Sequence, residues 1–409
     1  MPKIVFLNIP AYGHVNPTLP VARELVERGE QVIYYNNEEF RAVIEPTRAA
    51  FRAYPPSSLS ASAIAKAMES GNLINATDLL LQVTDELLPF VLAEVDRERP
   101  DLVIFDSTVL WGRMAATMLD LRAAASITTF VFGIRQAQLT PLETLVLLAR
   151  FLPKVPGILK KRSRLIRRYK AGYPQGQPLF PMRAGLNLVF TARELQPDMP
   201  LIDETFRFIG PAINPETRRD DFPFDALRPG KLVYISLGTV HAGQLEFYRK
   251  CFDLFADHPA QFVLSAGTNV DLRQLEPIPS NFIVRGSVPQ LAILERADVF
   301  VTHAGINSIH ESMYYGVPVV AIPQQFEQLM NAVVVVKQGA GVVIRKQLTR
   351  GRVPLEELRP AVDAVLTQPR FRQAAERVQA ILRATGGYRQ AADELQAYIA
   401  ASGENDQGQ

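Results

Sequence analysis

The stretch Val299-Phe300-Val301-Thr302-His303-Ala304-Gly305-Ile306-Asn307-Ser308-Ile309-His310-Glu311 joins two patterns of different period. Val299 to Thr302 reads as a short buried strand, and a helical pattern then runs through Asn307, Ser308 and Glu311. Gly305 at the join lets the chain turn tightly and admits the close approach of an anion. The N–H groups of a first helical turn are unpaired and carry partial positive charge, and His303 adds a donor at the same point. Asn307 and Glu311 are four apart and share a helix face, so a diphosphate on the first turn leaves Glu311 placed for a ribose hydroxyl. A strand-glycine-helix junction alone can do no more than turn the chain, and context decides between the two readings.

Outward from this junction, the strand Leu232 to Ser236 runs into Leu237-Gly238-Thr239, whose glycine and hydroxyl can approach the same diphosphate. The strand Val317 to Ile322 ends at Pro323, and Glu327-Gln328 are expected in a loop on the same sheet edge. A carboxylate beside an amide can accept from and donate to adjacent sugar hydroxyls. Further strands are expected at Gln261 to Ser265 and, in the first half, at Lys3 to Asn8, Gln31 to Tyr35 and Leu102 to Phe105, the last ending at Asp106. Asn16 and Pro17 read as the start of a helix that Gly29 ends. Strands alternating with helices make the fold class α/β, with two doubly wound parallel sheets. The proline- and charge-rich stretch from Gly210 to Gly230 holds the linker. The expected division is an N-terminal domain over 1–212, a linker over 213–230, a C-terminal domain over 231–380, a closing helix over 381–401 and a disordered tail over 402–409.

At 409 residues the chain suits two domains. Its 44 basic and 42 acidic side chains leave a formal charge of +2, so no global field selects nucleic acid or an anionic membrane. The single cysteine, Cys251, forms no internal disulfide and fits a reducing compartment. With neither a signal-peptide pattern nor a bilayer-length apolar run, the expected location is cytoplasmic, without integral membrane association. Leu139 to Lys170 joins an apolar stretch to the basic run Lys160-Lys161-Arg162-Ser163-Arg164. It reads as a lid or solvated helix, the alternative being an amphipathic helix on a membrane surface.

Val288-Pro289-Gln290, Thr302 to Ser308, Glu311, Gly316-Val317-Pro318, Pro323 and Glu327-Gln328 together resemble the donor-site signature of the inverting family 1 glycosyltransferases, notably the bacterial macrolide glycosyltransferase group. Pro10-Ala11-Tyr12-Gly13-His14-Val15-Asn16-Pro17 resembles that family's opening motif. The resemblance implies the GT-B fold: two Rossmann-like domains facing each other, acceptor mainly on the first and donor on the second, with a last helix, here Tyr388 to Ala400, crossing back to the first. It implies diphosphate contacts from Gly238, Thr239, His303, Gly305, Asn307 and Ser308. Nucleoside contacts fall to Ser287, Val288, Gln290 and Glu311, and contacts to the transferred hexose to Glu327 and Gln328. Family members commonly carry a base-stacking aromatic residue two before the proline, where this chain has Ser287. Such a stack contributes about 1–3 kcal/mol, so other residues must hold the base. UDP is the expected nucleotide, glucose the expected sugar, and TDP remains an alternative.

His14 follows the first strand and Asp106 ends another strand of the same sheet, so both are expected at its carboxyl edge. Glycosyl transfer to a hydroxyl needs a base for the acceptor proton, and histidine suits that role. Asp106 would accept from the other ring nitrogen and stabilise the imidazolium. In the family the equivalent pair does this work. The leaving diphosphate would be held by helix N–H groups and His303, with no metal and no cofactor beyond the co-substrate. The acceptor is expected to be a hydrophobic, hydroxylated small molecule such as a macrolide, polyketide, flavonoid or other phenolic. Trp111, Phe130 and Phe132 are candidate wall residues. His241, His258 and His310 read as structural. The competing functions are a sugar-nucleotide epimerase on the same fold and a non-catalytic sugar-nucleotide-binding protein.

Overall fold

A computed structural model describes residues 1–69, 73–132, 141–176, 180–214, 221–238, 244–267, 270–345 and 353–401. The chain divides into two compact units. The first comprises residues 1–131, 147–213 and 385–409, and the second residues 132–146 and 214–384.

Seven strands build the first unit: β1 Lys3–Leu7, β2 Gln31–Asn36, β3 Ala50–Ala53, β4 Leu102–Asp106, β5 Ala123–Ile127, β6 Leu186–Val189 and β7 Phe206–Phe208. They form one sheet in the order β3-β2-β1-β4-β5-β6-β7, and every pairing is parallel. β4 and β5 are buried throughout, which explains their unbroken runs of apolar or small residues. The second unit contains β8 Leu232–Ser236, β9 Gln261–Ser265, β10 Phe282–Arg285, β11 Val299–Thr302, β12 Val319–Ala321 and β13 Gly341–Val343. Their parallel order is β10-β9-β8-β11-β12-β13, the Rossmann arrangement. In each sheet the strand order reverses between its first strand and the neighbour on the other side, β1/β4 and β8/β11. Ligands of open α/β sheets bind at that reversal, outside the carboxyl ends of the strands.

The closing helical region resolves into helices Leu358–Thr367, Pro369–Arg383 and Gly387–Ala400. The last belongs to the first unit. It is tied there by Arg28 to Asp393 and by Arg122, which donates to the Tyr398 carbonyl at 2.7 Å. The Gly387 N–H donates to the Ile209 carbonyl at 2.7 Å, fixing the point where the chain returns. The tail from Ser402 lies outside the described residues.

Two helices occupy the basic segment, Pro141–Phe151 and Val155–Tyr169. On the second, Leu165 is buried, and Ile158 and Ile166 pack on the core of the first unit. Lys161 pairs with Asp78 and Arg168 with Asp85, both on helix Leu73–Glu98. These apolar side chains of the second helix are therefore covered by the protein's own core, whereas Leu145, Leu148, Leu152 and Leu159 of the same segment are exposed. No helix among the described residues is long and apolar enough to cross a membrane.

His310 is 4% exposed, and its burial pushes the imidazole down to about 3 from an ordinary value near 6.5. The unfolded chain takes up this proton below 6.5 and the folded chain does not, so the stability from a neutral His310 is complete above 6.5 and drains away as pH falls from 6.5 toward 3. By pH 5 the loss amounts to about 2 kcal/mol. Denaturation midpoints of the full chain at pH 7.5 and 5 are expected to differ more than those of His310→Asn. An equal pH shift in the two proteins would contradict the sign or the size of this effect.

Candidate active site

At the reversal of the first sheet, β1 leads through Asn8, Ile9, Pro10 and Ala11 into helix Tyr12–Glu27. The expected start, with Asn16 as cap and Pro17 as first helical residue, is corrected: the helix begins five residues earlier, at Tyr12, and Pro17 and Pro20 lie inside it. Tertiary bracing overrides the local capping signal. The buried Asn8 amide donates to the His14 carbonyl at 3.2 Å and to the Tyr34 hydroxyl at 2.9 Å, while the Ile9 N–H donates to its oxygen at 2.8 Å. Thr18 and Tyr34 share a further hydrogen bond of 2.7 Å. Burial holds the Tyr34 phenol far above its ordinary range, so it stays neutral. His14 accordingly stands on a braced first helical turn. Gly29 ends this helix as expected from the sequence, at φ +95, with its N–H donating to the Val26 carbonyl and that of Glu30 to Leu25.

His14 Nδ1 lies 2.8 Å from Asp106 Oδ2, and the aspartate side chain is fully buried while the histidine is 20% exposed. The other carboxylate oxygen accepts from the Thr108 N–H at 2.9 Å and from its hydroxyl at 2.5 Å. Thr128, just past β5, brings its hydroxyl to 3.1 Å from the same histidine nitrogen. Three adjacent strand ends thus meet on one imidazole. Thr128 carries no sequence signal of its own, because only the order β1-β4-β5 brings it to the ring, whereas Thr108 acts locally on Asp106.

At the reversal of the second sheet, the His303 ring lies against two glycines. A Cβ on Gly305 would stand 2.6 Å from His303 Nε2, and one on Gly238 would stand 2.9 Å from Cε1, so neither position has room for a side chain. Ala304 adopts φ +64, a left-handed conformation that costs a non-glycine residue about 1–2 kcal/mol. Gly305 is the N-cap of helix Ile306–Tyr314, and no side-chain hydrogen bond caps that end. Asn307 and Ser308 occupy its first turn, and Glu311 lies further along it, 3% exposed. Gln290 Nε2 donates to Glu311 Oε2 at 2.5 Å, and the Tyr234 hydroxyl donates to Gln290 Oε1 at 3.1 Å. Val288 is buried and Ser287 exposed. Thr239 and His241 lie outside the described residues.

Glu327 and Gln328 are corrected from a loop to the first turn of helix Phe326–Lys337. Gln328 Oε1 accepts the backbone N–H groups of Gln324 at 2.8 Å and Gln325 at 3.2 Å, which closes a capping box. Asn331, one turn on, is fully buried and donates to the Ala304 carbonyl at 3.0 Å and to Glu327 Oε1 at 3.1 Å.

The acceptor-wall candidates separate. Trp111 is fully buried, its indole N–H directed at the Tyr54 hydroxyl 3.5 Å away, and Phe130 is 4% exposed. Trp111 is corrected to a core residue, because no acceptor reaches a side chain without accessible surface, and Phe130 is almost as deeply buried. Phe132 is partly exposed. Tyr12, which the sequence did not single out, is 50% exposed two residues before His14, with its ring over Phe40 at 4.8 Å. His258 Nε2 donates to Asp363 Oδ1 at 2.9 Å and its Nδ1 accepts the Ala260 N–H at 3.1 Å, a structural clasp.

Two Rossmann-like parallel sheets, one carrying a His–Asp pair and the other a glycine-lined turn ahead of a helix, match the GT-B class of glycosyltransferases. Residues 230–384 match the family model described as UDP-glucoronosyl and UDP-glucosyl transferase. The uncharacterized UDP-glucosyltransferase YojK of Bacillus subtilis is 31% identical over 95% of both chains. The oleandomycin glycosyltransferase of Streptomyces antibioticus is 30% identical over 94% of this chain and 88% of its own. Among solved structures, the glycotransferase of kitacinnamycin superposes with a TM-score of 0.80 at 30% identity, covering 97% of this chain and 99% of its own. This chain belongs to the UDP-glycosyltransferase family, family 1 of the glycosyltransferases.

Proposed function

We propose that the protein transfers a hexose, glucose by preference, from a UDP-sugar to a hydroxyl of a hydrophobic small molecule, a macrolide, polyketide, flavonoid or other phenolic, with inversion. The His14–Asp106 contact of 2.8 Å carries this reading. With Nδ1 turned to a buried carboxylate, the opposite ring nitrogen, Nε2, takes the acceptor proton, and the acceptor oxygen attacks the anomeric carbon as the bond to the diphosphate breaks. Asp106 stabilises the imidazolium so formed. The leaving diphosphate is received by the N–H groups of helix Ile306–Tyr314, by His303 and by Asn307, Ser308 and Thr239. Gln290 and Glu311, already in mutual contact, bind the ribose hydroxyls. The base lies beside Ser287 and Val288, and uracil is the proposed base. Glu327 accepts from one sugar hydroxyl, and Gln328 donates to another through its nitrogen. Phe132 remains a candidate for the acceptor wall. The proposed setting is the cytoplasm.

Incubation with UDP-glucose and a panel of phenolic and macrolide acceptors, followed by mass spectrometry, tests the reading. A hexose added to an acceptor is the expected result. Isomerised donor without acceptor product would replace it with an epimerase, and donor binding without either product would leave a binding protein.

The proposed mechanism uses no metal. Among the described residues, no group of three or more His, Cys, Asp or Glu side chains is placed to hold an ion. Initial rates in excess EDTA are expected to equal those without it. A loss restored by Mg²⁺ would show that a cation shares the stabilisation assigned to the helix N-terminus and His303.

A further inference from the structure

Two strands of the donor reading converge on a residue that contacts neither phosphate nor sugar in it. Asn331 is fully buried on helix Phe326–Lys337, and its amide nitrogen serves the Ala304 carbonyl at 3.0 Å and Glu327 Oε1 at 3.1 Å. An amide NH₂ has two hydrogens in one plane at a fixed angle, so satisfying two acceptors with it fixes their relative position. One acceptor belongs to the turn that precedes the anion-binding helix end. The other is the carboxylate assigned to the sugar.

Both acceptors need such a hold. Ala304 sits at φ +64, where only a glycine rests without strain, and strained residues persist when their surroundings over-determine them. Its N–H is taken by the Thr302 hydroxyl at 3.2 Å and its carbonyl by Asn331. Glu327 is partly exposed, and an unheld carboxylate on a first helical turn has several rotamers open to it. Asn331 itself gains little in stability from its position, since its Oδ1 is buried with no partner among the described residues. A fully apolar side chain would suit such a site better if packing were its only task.

We propose that Asn331 is a positioning residue that couples the phosphate-binding turn to the hexose-binding carboxylate, so that one side chain sets both halves of donor recognition. The inference rests on the donor reading above. It predicts two separable effects. Loss of the bond to Ala304 weakens binding of any nucleoside diphosphate, and loss of the bond to Glu327 weakens only the increment that the sugar adds.

The full chain, Asn331→Leu and the double variant Asn331→Leu/Ala304→Gly are titrated calorimetrically with UDP and with UDP-glucose, alongside thermal melts. Asn331→Leu is expected to bind UDP about tenfold more weakly and to lose a further factor of about three to ten for UDP-glucose relative to UDP, the scale of one buried hydrogen bond each. Adding Ala304→Gly, which adopts the left-handed turn without strain, is expected to restore most of the UDP affinity and none of the sugar increment. Unchanged affinities in Asn331→Leu would overturn the proposal, as would recovery of both quantities or of neither in the double variant. If the leucine variant does not fold, Asn331→Ser, with a single donor, is expected to show one of the two losses, and wild-type values for both would overturn it. Failure of the unmodified protein to bind either ligand would instead refute the donor reading.

Discussion

Replacing His14 by alanine is expected to lower turnover by at least about two orders of magnitude, within the range of about 10²–10⁴ that a positioned general base supplies, while UDP-sugar affinity stays within about twofold, since uniform binding is not removed. The expectation follows from what the imidazole touches. Nδ1 faces Asp106 at 2.8 Å and the Thr128 hydroxyl at 3.1 Å, so the ring is held in the first sheet, and the residues assigned to the nucleotide all belong to the second. Alanine removes the base and leaves the donor contacts untouched. Because the bracing of this turn runs through Asn8 to the His14 carbonyl rather than to its side chain, the backbone is expected to hold its place. Initial rates at saturating acceptor, together with calorimetric titration of UDP-glucose, separate the two quantities. Near-full turnover would remove His14 from the role of base, and a parallel collapse of donor affinity would show that the substitution disturbed more than proton transfer.

How far such an assignment can be made from sequence depends on the range over which each residue is held. The β11 junction was legible because everything it needs is local: a buried four-residue strand, a glycine and a polar helix start, all within thirteen residues. The His14–Asp106 pair required one further inference, that two strand ends of one sheet share an edge, and 92 residues separate its members. β5 was not legible. Ala123-Ala124-Ala125-Ser126-Ile127 has neither the β-branched content nor the alternation that marks a strand, and alanine favours helices. It is a strand because it lies buried between β4 and β6, where Ala125 pairs with Phe105 and a small side chain is what the crowded interior accepts. Missing β5 also meant missing Thr128. The start of the first helix failed for the opposite reason: Asn16-Pro17 is a good local start signal, but the amide of Asn8 and the phenol of Tyr34 stabilise an earlier one. Trp111 shows a third limit. A tryptophan a few residues after the end of β4 reads as wall or core, and only its lack of exposure decides. Asn331 acts on Ala304 from 27 residues away, and no pattern in its own helix announces that contact.

Asp106→Asn is expected to cost turnover about as much as His14→Ala, at least about two orders of magnitude, although the substitution is isosteric. The argument turns on Thr108. Its backbone N–H donates to Asp106 Oδ1 at 2.9 Å and can do nothing but donate, so in the variant the amide oxygen must occupy that position. The NH₂ group is then left facing His14 Nδ1. A donor there requires Nδ1 to be the unprotonated nitrogen, which places the ring proton on Nε2, the nitrogen that has to receive the acceptor proton. The imidazole is held in place but in the tautomer that cannot act as a base. Asp106→Ala removes the carboxylate without imposing that tautomer, and it is expected to be impaired no more than the asparagine variant and to recover part of its rate with added formate. The double variant His14→Ala/Asp106→Asn is expected to be scarcely slower than either single one, since a base and the group that orients it act as a unit. Multiplicative losses in the double variant, or an asparagine variant with near wild-type turnover and a native circular dichroism spectrum, would show that the carboxylate does not act through His14.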